Sequence, residues 1–318
     1  MFKYIKLFLG LFLIVLLIWW VNGEALFEAL SNLTFVSVFL LALVGFALIF
    51  ISALKWQLFL QRLGGTASVL RLCKLYLVGY FVNLFLPSFL GGDAARSWYL
   101  GKSLQTEDAK AKAFAATILE RYTGLVAMIF IALIFVHIET ELPAKLLPFV
   151  YLCSFLLIFG SALAASEKVV TRLGTLKLPF LSPFICKVSA ALLKVQQGLK
   201  YGMSQPKVLL IAVFYSFIFH ILAILNTMAA AYAVGWWDPD FAKLCVVVPL
   251  ILLVSAVPIS PQNIGVQEGA FFFFLKMAGA TSPQALGVAV ILRLKSYVLA
   301  MLGYGFWLKE KRGEAVKS

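Results

Sequence analysis

Two short stretches hold the residues whose types and spacing suit chemistry. In NLFLPSFLGGDAARSWYL, residues 83–100, Pro87 is followed by Gly91, Gly92 and Asp93, with Arg96 one helical turn later. In VPISPQNIGVQEGAFFFF, residues 257–274, Pro261 is followed by Gly265, Gln267 and Glu268. Each break joins a proline, a glycine four residues on and a nearby carboxylate to a segment that resumes helical character. Proline interrupts a helix, and glycine lets the chain take positive φ and lets a ligand approach the backbone. The helix start that follows turns free N–H groups and the positive end of its dipole toward an anion. Arg96 adds a planar donor suited to phosphate. The predicted chemistry is recognition of a phosphate-bearing ligand. A plainer role also fits Asp93, as the N-cap of a helix starting at Ala94, and the two roles can coexist.

Four further charges sit inside apolar runs: Glu120 and Arg121, then Arg293 and Lys295. A charge at the centre of a membrane helix costs about 2.5–3.5 kcal/mol on insertion scales, so such residues face a partner or a polar cavity. Neighbouring helical residues project about 100° apart, so Glu120 and Arg121 do not neutralise one another along one face. The expectation is that Glu120, Arg121, Glu268, Arg293 and the Asp93/Arg96 pair line one polar route between leaflets. Structural ion pairs locking helices together are the plainer alternative. Either way these side chains point inward.

The elements that position these residues are membrane helices. Of 318 residues, 63% are hydrophobic and 13% charged, against roughly 25% charged in a soluble domain. Apolar runs at 4–21, 35–60, 113–138, 146–165, 208–234, 244–257 and 285–308 mostly reach the 17–25 residues that cross about 30 Å of hydrocarbon. Lys3 and Lys6 before the first run resemble a secretory signal, but the run has span length and no clear small-residue cleavage site follows, so it reads as a retained helix. Cys73, Cys153, Cys186 and Cys245 lie far apart and read as small buried side chains. His137 and His220 are isolated, and no metal site is expected.

The net charge of +13 does not point to nucleic acid, because cytoplasmic loops of membrane proteins are enriched in Lys and Arg. With the N-terminus inside, Lys55, Arg62, Arg71 and Lys74 fall in one cytoplasmic loop, Arg96, Lys102, Lys110 and Lys112 after it, and the basic tail is cytoplasmic too. Lys145, Lys243 and Lys276 remain outside. This holds only if about 75–93 dips into the bilayer and returns, and if about 244–276 does so from the other face. The expected fold is an all-α polytopic membrane protein of one domain, 1–318, with about six full transmembrane helices and two re-entrant broken-helix hairpins of opposite orientation. Paired discontinuous segments of inverted topology point to a transporter's binding site. Residues 183–201, with Val188, Leu192, Val195 and Leu199 on one face and lysines on others, read as an amphipathic helix on the anionic cytoplasmic leaflet, or else a partner-docking helix.

These motifs, with ERYTGL at 120–125 and ILRL at 291–294, resemble the landmarks of the flippase-like family that shares the transmembrane region of lysylphosphatidylglycerol synthases. The resemblance covers nearly the whole chain. It implies that Asp93, Arg96, Glu120, Arg121, Glu268 and Arg293 match family landmarks, and that the protein moves phospholipids or polyprenyl-linked glycolipids between leaflets. Gln262 and Asn263 stand where the family often has glycines, and Gln267 where it often has Arg. The chain stops at Ser318 without the soluble aminoacyl-transferring domain, so it is not expected to make lysyl lipid by itself.

The resulting expectation is a lipid transporter of a prokaryotic inner membrane with both termini cytoplasmic. Its substrate-binding residues are Gly91, Gly92, Asp93, Arg96, Glu120, Arg121, Gly265, Glu268 and Arg293. It has no cofactor, and membrane lipids with an anionic or phosphate-containing headgroup are its partners. With no nucleotide-binding motif, its energy comes from an ion gradient or from downhill movement. The alternatives are a membrane enzyme acting on a lipid phosphate or lipid-linked sugar with Asp93 or Glu268 as acid or base, and a scaffold for a lipid-modifying partner.

Overall fold

The computed structural model describes residues 31–85, 90–104, 108–139, 141–144, 146–166, 204–257, 260 and 263–315, together with Phe27, Gln196 and Lys200. Among them are nine helices: α1 Phe35–Arg62, α2 Val69–Asn83, α3 Leu90–Ser103, α4 Ala109–Ile138, α5 Leu146–Ala165, α6 Pro206–Ala233, α7 Phe241–Ser255, α8 Val266–Met277 and α9 Ser282–Ala315. The expected first span at 4–21, Pro87, Pro261, Gln262 and nearly all of 183–201 lie outside the described residues.

Local sequence sets the helix starts. Thr34 accepts the amide of Ser37 at 3.2 Å while Ser37 Oγ accepts the amide of Thr34 at 3.0 Å, a reciprocal cap for α1. Ser68 caps α2 through the Arg71 amide, Asp240 caps α7 through the amides of Ala242 and Lys243, and Pro206 opens α6. Four helices, α1, α4, α6 and α9, are long and apolar enough to cross a membrane; the described apolar stretches of α5 and α7 are shorter. At 1.5 Å per residue, α1 and α6 run about 42 Å, whereas α2, α3, α7 and α8 run about 18–22 Å, less than the hydrocarbon thickness.

Contacts at the helix ends fix the topology. At one end of the bundle, Gly235 after α6 lies beside Asn32 before α1 and accepts from Gln284 in the first turn of α9. Lys243 at the start of α7 pairs with Glu141 after α4 at 2.5 Å on the same end. At the opposite end, Arg71 at the start of α2 pairs with Glu310 near the end of α9, and Gly101 of α3 abuts Lys110 of α4. The α2/α3 pair therefore opens toward one end of the bundle and the α7/α8 pair toward the other.

The nine described helices thus form two similar halves, long–short–short–long, with α5 between them. Helices α1 and α6 pack against each other and are antiparallel, since Lys55 meets Ser216 while Gly45 and Asn226 both meet Lys295. That is the geometry of halves related by inversion.

Within the first half, α2 and α3 approach through glycines. A Cβ on Gly92 would overlap the carbonyl oxygen of Gly79 and stand 2.7 Å from the amide of Asn83. Gly303 of α9 lets α2 approach in the same way at Leu77. Small residues at such crossings are how membrane helices gain packing where no hydrophobic force acts between them. Large apolar side chains cover the outside, among them Phe39, Leu43, Phe46 and Phe50 of α1 and Phe155, Leu156 and Phe159 of α5, a surface suited to lipid tails.

Candidate functional site

Apart from Lys295, the charges expected inside the membrane assemble into two groups rather than one continuous line. In the first, Arg96 lies on α3 where its side chain turns into the bundle, 1% exposed. Its Nε donates to Asp93 Oδ1 at 3.0 Å and its Nη2 to Glu120 Oε2 at 2.7 Å. The guanidinium sits in the corner formed by two mutually perpendicular aromatic rings, 4.4 Å from the Trp56 centroid and 3.9 Å from that of Tyr76, cation–π contacts that partly replace water around a buried charge. Arg121 donates from Nε and Nη2 to Asp93, each at 2.8 Å. Lys55 completes the group, 3.6 Å from Glu120 Oε1 and bonded to Ser216 Oγ at 3.0 Å.

Lys55 corrects the sequence expectation: counted with the basic residues of the following loop, it instead lies within α1 and is 2% exposed. The apolar run around it is helical throughout, and Glu120 supplies the counter-charge that keeps the ammonium inside. Asp93 is a second correction. The helix begins at Leu90, so Asp93 sits in its first turn and binds two arginines rather than capping from outside. In that first turn the Gly92 amide donates to Asn83 Oδ1 at 2.6 Å across the α2/α3 hairpin. Helix α4 starts at Ala109, before the apolar run, which puts Glu120 about 17 Å along it.

Three cations and two carboxylates make this group net positive. It also holds more donors than acceptors: Trp56 Nε1, Tyr76 Oη and Arg96 Nη1 are buried without a hydrogen-bond partner among the described residues. An anionic oxygen is the chemistry that satisfies both imbalances. Arg121 is the member that reaches the surface, with 45% of its side chain exposed.

The second group is tighter. Glu268, in the first turn of α8, accepts the Gly265 amide at 2.7 Å on Oε2 and Arg293 Nε at 2.5 Å on Oε1. Gly265 has φ 81°, a conformation glycine adopts without strain. Asn263 has φ 53°, a left-handed conformation that asparagine tolerates better than most residues. This is why it can stand where the family resemblance expects glycine. Its side chain donates to the carbonyl of Ser255 at the end of α7, and its own carbonyl accepts from Arg293 Nη2 at 3.2 Å. The plain ion-pair role foreseen for Glu268 and Arg293 is therefore present, and both are buried.

Sequence reasoning named Asp93, Arg96, Glu120, Arg121, Gly265, Glu268 and Arg293. Gly91 and Gly92 open α3, with Gly92 buried against Gly79. It missed Lys55, Asn83, Trp56, Tyr76, Asn226 and the backbone role of Asn263. A lysine amid apolar residues was the available signal for Lys55; the aromatic pair carries none, since aromatic residues abound throughout the chain. Among the described residues no group of three His, Cys, Asp or Glu is placed to hold a metal ion.

Two inversely arranged halves, each with a short-helix hairpin ion-paired to the long helix after it, define a multi-pass helical membrane protein. The chain belongs to the family described as lysylphosphatidylglycerol synthase TM region, whose profile matches residues 7–303, a family of membrane proteins linked to lipid handling. It is similar to a UPF0104 membrane protein of Methanocaldococcus jannaschii, 28% identical over 81% of this chain and 80% of that protein. A UPF0104 membrane protein of Pyrococcus horikoshii is 22% identical over 99% of both chains, and one of Methanothermobacter thermautotrophicus is 22% identical over 85% and 84%. No solved structure matches.

Proposed function

We propose that this protein carries an anionic or phosphate-linked lipid, a phospholipid or a polyprenyl-linked glycolipid, between the leaflets of a prokaryotic cytoplasmic membrane. Both α2/α3 and α7/α8 enter the bilayer as re-entrant hairpins, one from each face, and both termini are cytoplasmic. The observation that carries the reading is Arg121: a guanidinium 45% exposed at membrane depth, in a group whose cations outnumber its carboxylates. A lipid phosphate arriving there competes with Asp93 for the same donors. Exchange of a carboxylate for a phosphate frees the hairpin from α4 without stranding an unpaired charge, which would be costly in low dielectric. On the other face, exchange at Arg293 would free α8 from α9 while Glu268 keeps the Gly265 amide as a donor. Because Arg96 and Glu120 are closed off here, this arrangement is the occluded member of an equilibrium that the lipid shifts.

Purified protein reconstituted into vesicles with fluorescent phospholipid or polyprenyl phosphate in one leaflet tests this. Redistribution is expected, with a large loss in Arg121→Gln. Unchanged distributions of both lipids, with and without a proton gradient, overturn it.

A further inference from the structure

Lys295 belongs to neither ion-paired group. Two residues after Arg293 on α9, it is half-buried, and its Nζ donates to Asn226 Oδ1 of α6 at 2.6 Å. Facing it from α1 is Gly45, whose Cβ, if present, would stand 3.5 Å from the lysine stem and 3.8 Å from Nζ. Among the described residues no carboxylate lies within ion-pair distance of this ammonium. The long-helix seam of α1 and α6 therefore holds two lysines about 15 Å apart along its axis, Lys55 at one level and Lys295 at the other.

The two halves make this pairing systematic. Lys55 and Asn226 hold the same position in two helices of 28 residues each, and so do Gly45 and Ser216. Inversion thus maps the Lys55–Ser216 contact onto Asn226–Gly45, with Lys295 filling the space Gly45 leaves. In the first half the long partner helix α4 brings a carboxylate, Glu120, to the seam; in the second half α9 brings a cation, and the polar partner is a neutral amide. At the seam Lys55 faces a carboxylate, which it shares with Arg96, and Lys295 faces none among the described residues.

We infer that Lys295 and Asn226, at the α1 face marked by Gly45, form a second binding site for a phosphate-bearing lipid headgroup, distinct from the Arg121 group. The inference rests on the lipid-transport reading and adds to it a station nearer the opposite face. A compact ammonium is a point charge suited to a phosphate oxygen. Because Asn226 turns its oxygen to the lysine, its amide N–H2 group offers further donors beside it. At Gly45 the lysine packs directly on the α1 backbone, with no α1 side chain at that position to contact the ammonium. A headgroup leaving the Arg121 group thus meets a second cation on the same seam.

Equilibrium binding of farnesyl phosphate, inorganic phosphate and farnesol to the purified full-length protein in detergent tests the site. Wild-type protein is expected to bind farnesyl phosphate and not farnesol. Lys295→Met is expected to weaken binding about tenfold, the size of one charge-assisted hydrogen bond. Gly45→Val, which keeps the lysine but crowds its ammonium, is expected to weaken it similarly and decides the matter if Lys295→Met does not fold. Wild-type protein that binds neither phosphate compound, or two folded variants that bind farnesyl phosphate within twofold of wild type, overturns the site. Equal affinity for inorganic phosphate overturns the lipid as its source. Lysine-dependent binding without lipid movement in vesicles keeps the site and refutes the transport reading. Lipid movement with both variants unaffected in binding does the reverse.

Discussion

Arg121 on α4 and Asp93 on α3 are joined by two hydrogen bonds of 2.8 Å, and the same relation recurs in the second half between Arg293 on α9 and Glu268 on α8. Each pair ties the second helix of a short hairpin to the long helix that follows it. Glu120 and Arg293 even hold the same position in their helices, counted from Ala109 and Ser282. The first half spends an adjacent acid and base there, whereas the second uses a single arginine.

The Glu268–Arg293 pair is buried, so removing either partner takes away the counter-charge that this pair supplies to the other. Glu268→Gln and Arg293→Gln are each expected to lower stability by about 3–5 kcal/mol. The double variant should lose less than the sum of the two, since neither charge is then left alone. Thermal melting in detergent, arranged as a double-mutant cycle, measures this; additive losses would refute the coupling.

The first group makes a different prediction because its charges are unequal. Lys55→Met leaves two arginines facing two carboxylates, a balanced set. Glu120→Gln leaves three cations around Asp93 alone and removes the acceptor of Arg96 and the counter-charge of Lys55. Glu120→Gln is therefore expected to be the more destabilising by at least about 1 kcal/mol, a charged hydrogen bond contributing about 1.5–3 kcal/mol. Equal melting temperatures would contradict this charge accounting.

Close helix approach gives a steric test. Gly92→Ala and Gly303→Ala would each push a methyl group into a facing backbone carbonyl, of Gly79 and Leu77 respectively. Both should lose folded yield and melt lower. Gly160→Ala and Gly269→Ala meet nothing within 4 Å and should be neutral or stabilising, since alanine is the better helix former by about 0.5–1 kcal/mol.

Orientation is open to labelling once Cys73, Cys153, Cys186 and Cys245 are replaced. Asp238 and Thr281 are exposed at the end of the bundle where α6 ends and α9 begins, and Ser103 is exposed where α3 ends. With the basic end cytoplasmic, Asp238→Cys and Thr281→Cys should react with an impermeant thiol reagent in intact cells. Ser103→Cys should react only after permeabilisation. The reverse pattern would invert the transport reading.

Much of this was legible in the sequence because membrane constraints are blunt. Long apolar runs gave α1, α4, α6 and α9, and the Pro/Gly breaks gave the two places where short helices meet. The paired carboxylates and arginines were visible because a charge in an apolar run has few explanations. What was hidden is partner choice. Nothing in the spacing tells that Arg96 turns to Glu120 and to two aromatic rings while sharing Asp93 with Arg121, because that depends on how α3 rotates against α1, α2 and α4. Lys55 was misplaced for a similar reason: near a helix end, a lysine of the loop and a lysine of the span look alike until the opposing acid is known. The match between Lys55 and Asn226 required helix boundaries, since one is a cation and the other an amide.

Asn263 offers the sharpest separation of backbone from side-chain effects. Its φ of 53° disfavours residues with a Cβ and no local hydrogen-bonding group, by roughly 1–2 kcal/mol. Its side chain also ties the start of the α8 segment to the Ser255 carbonyl at the end of α7. Asn263→Gly and Asn263→Ala both abolish that tie, but only alanine must also hold the left-handed backbone. Both variants should melt below wild type, with Asn263→Ala lower than Asn263→Gly by an amount that reports the backbone alone. If glycine proves as damaging as alanine, the side-chain tie dominates. In that case Asn263 is present for its hydrogen bond rather than as a substitute for glycine at a left-handed turn.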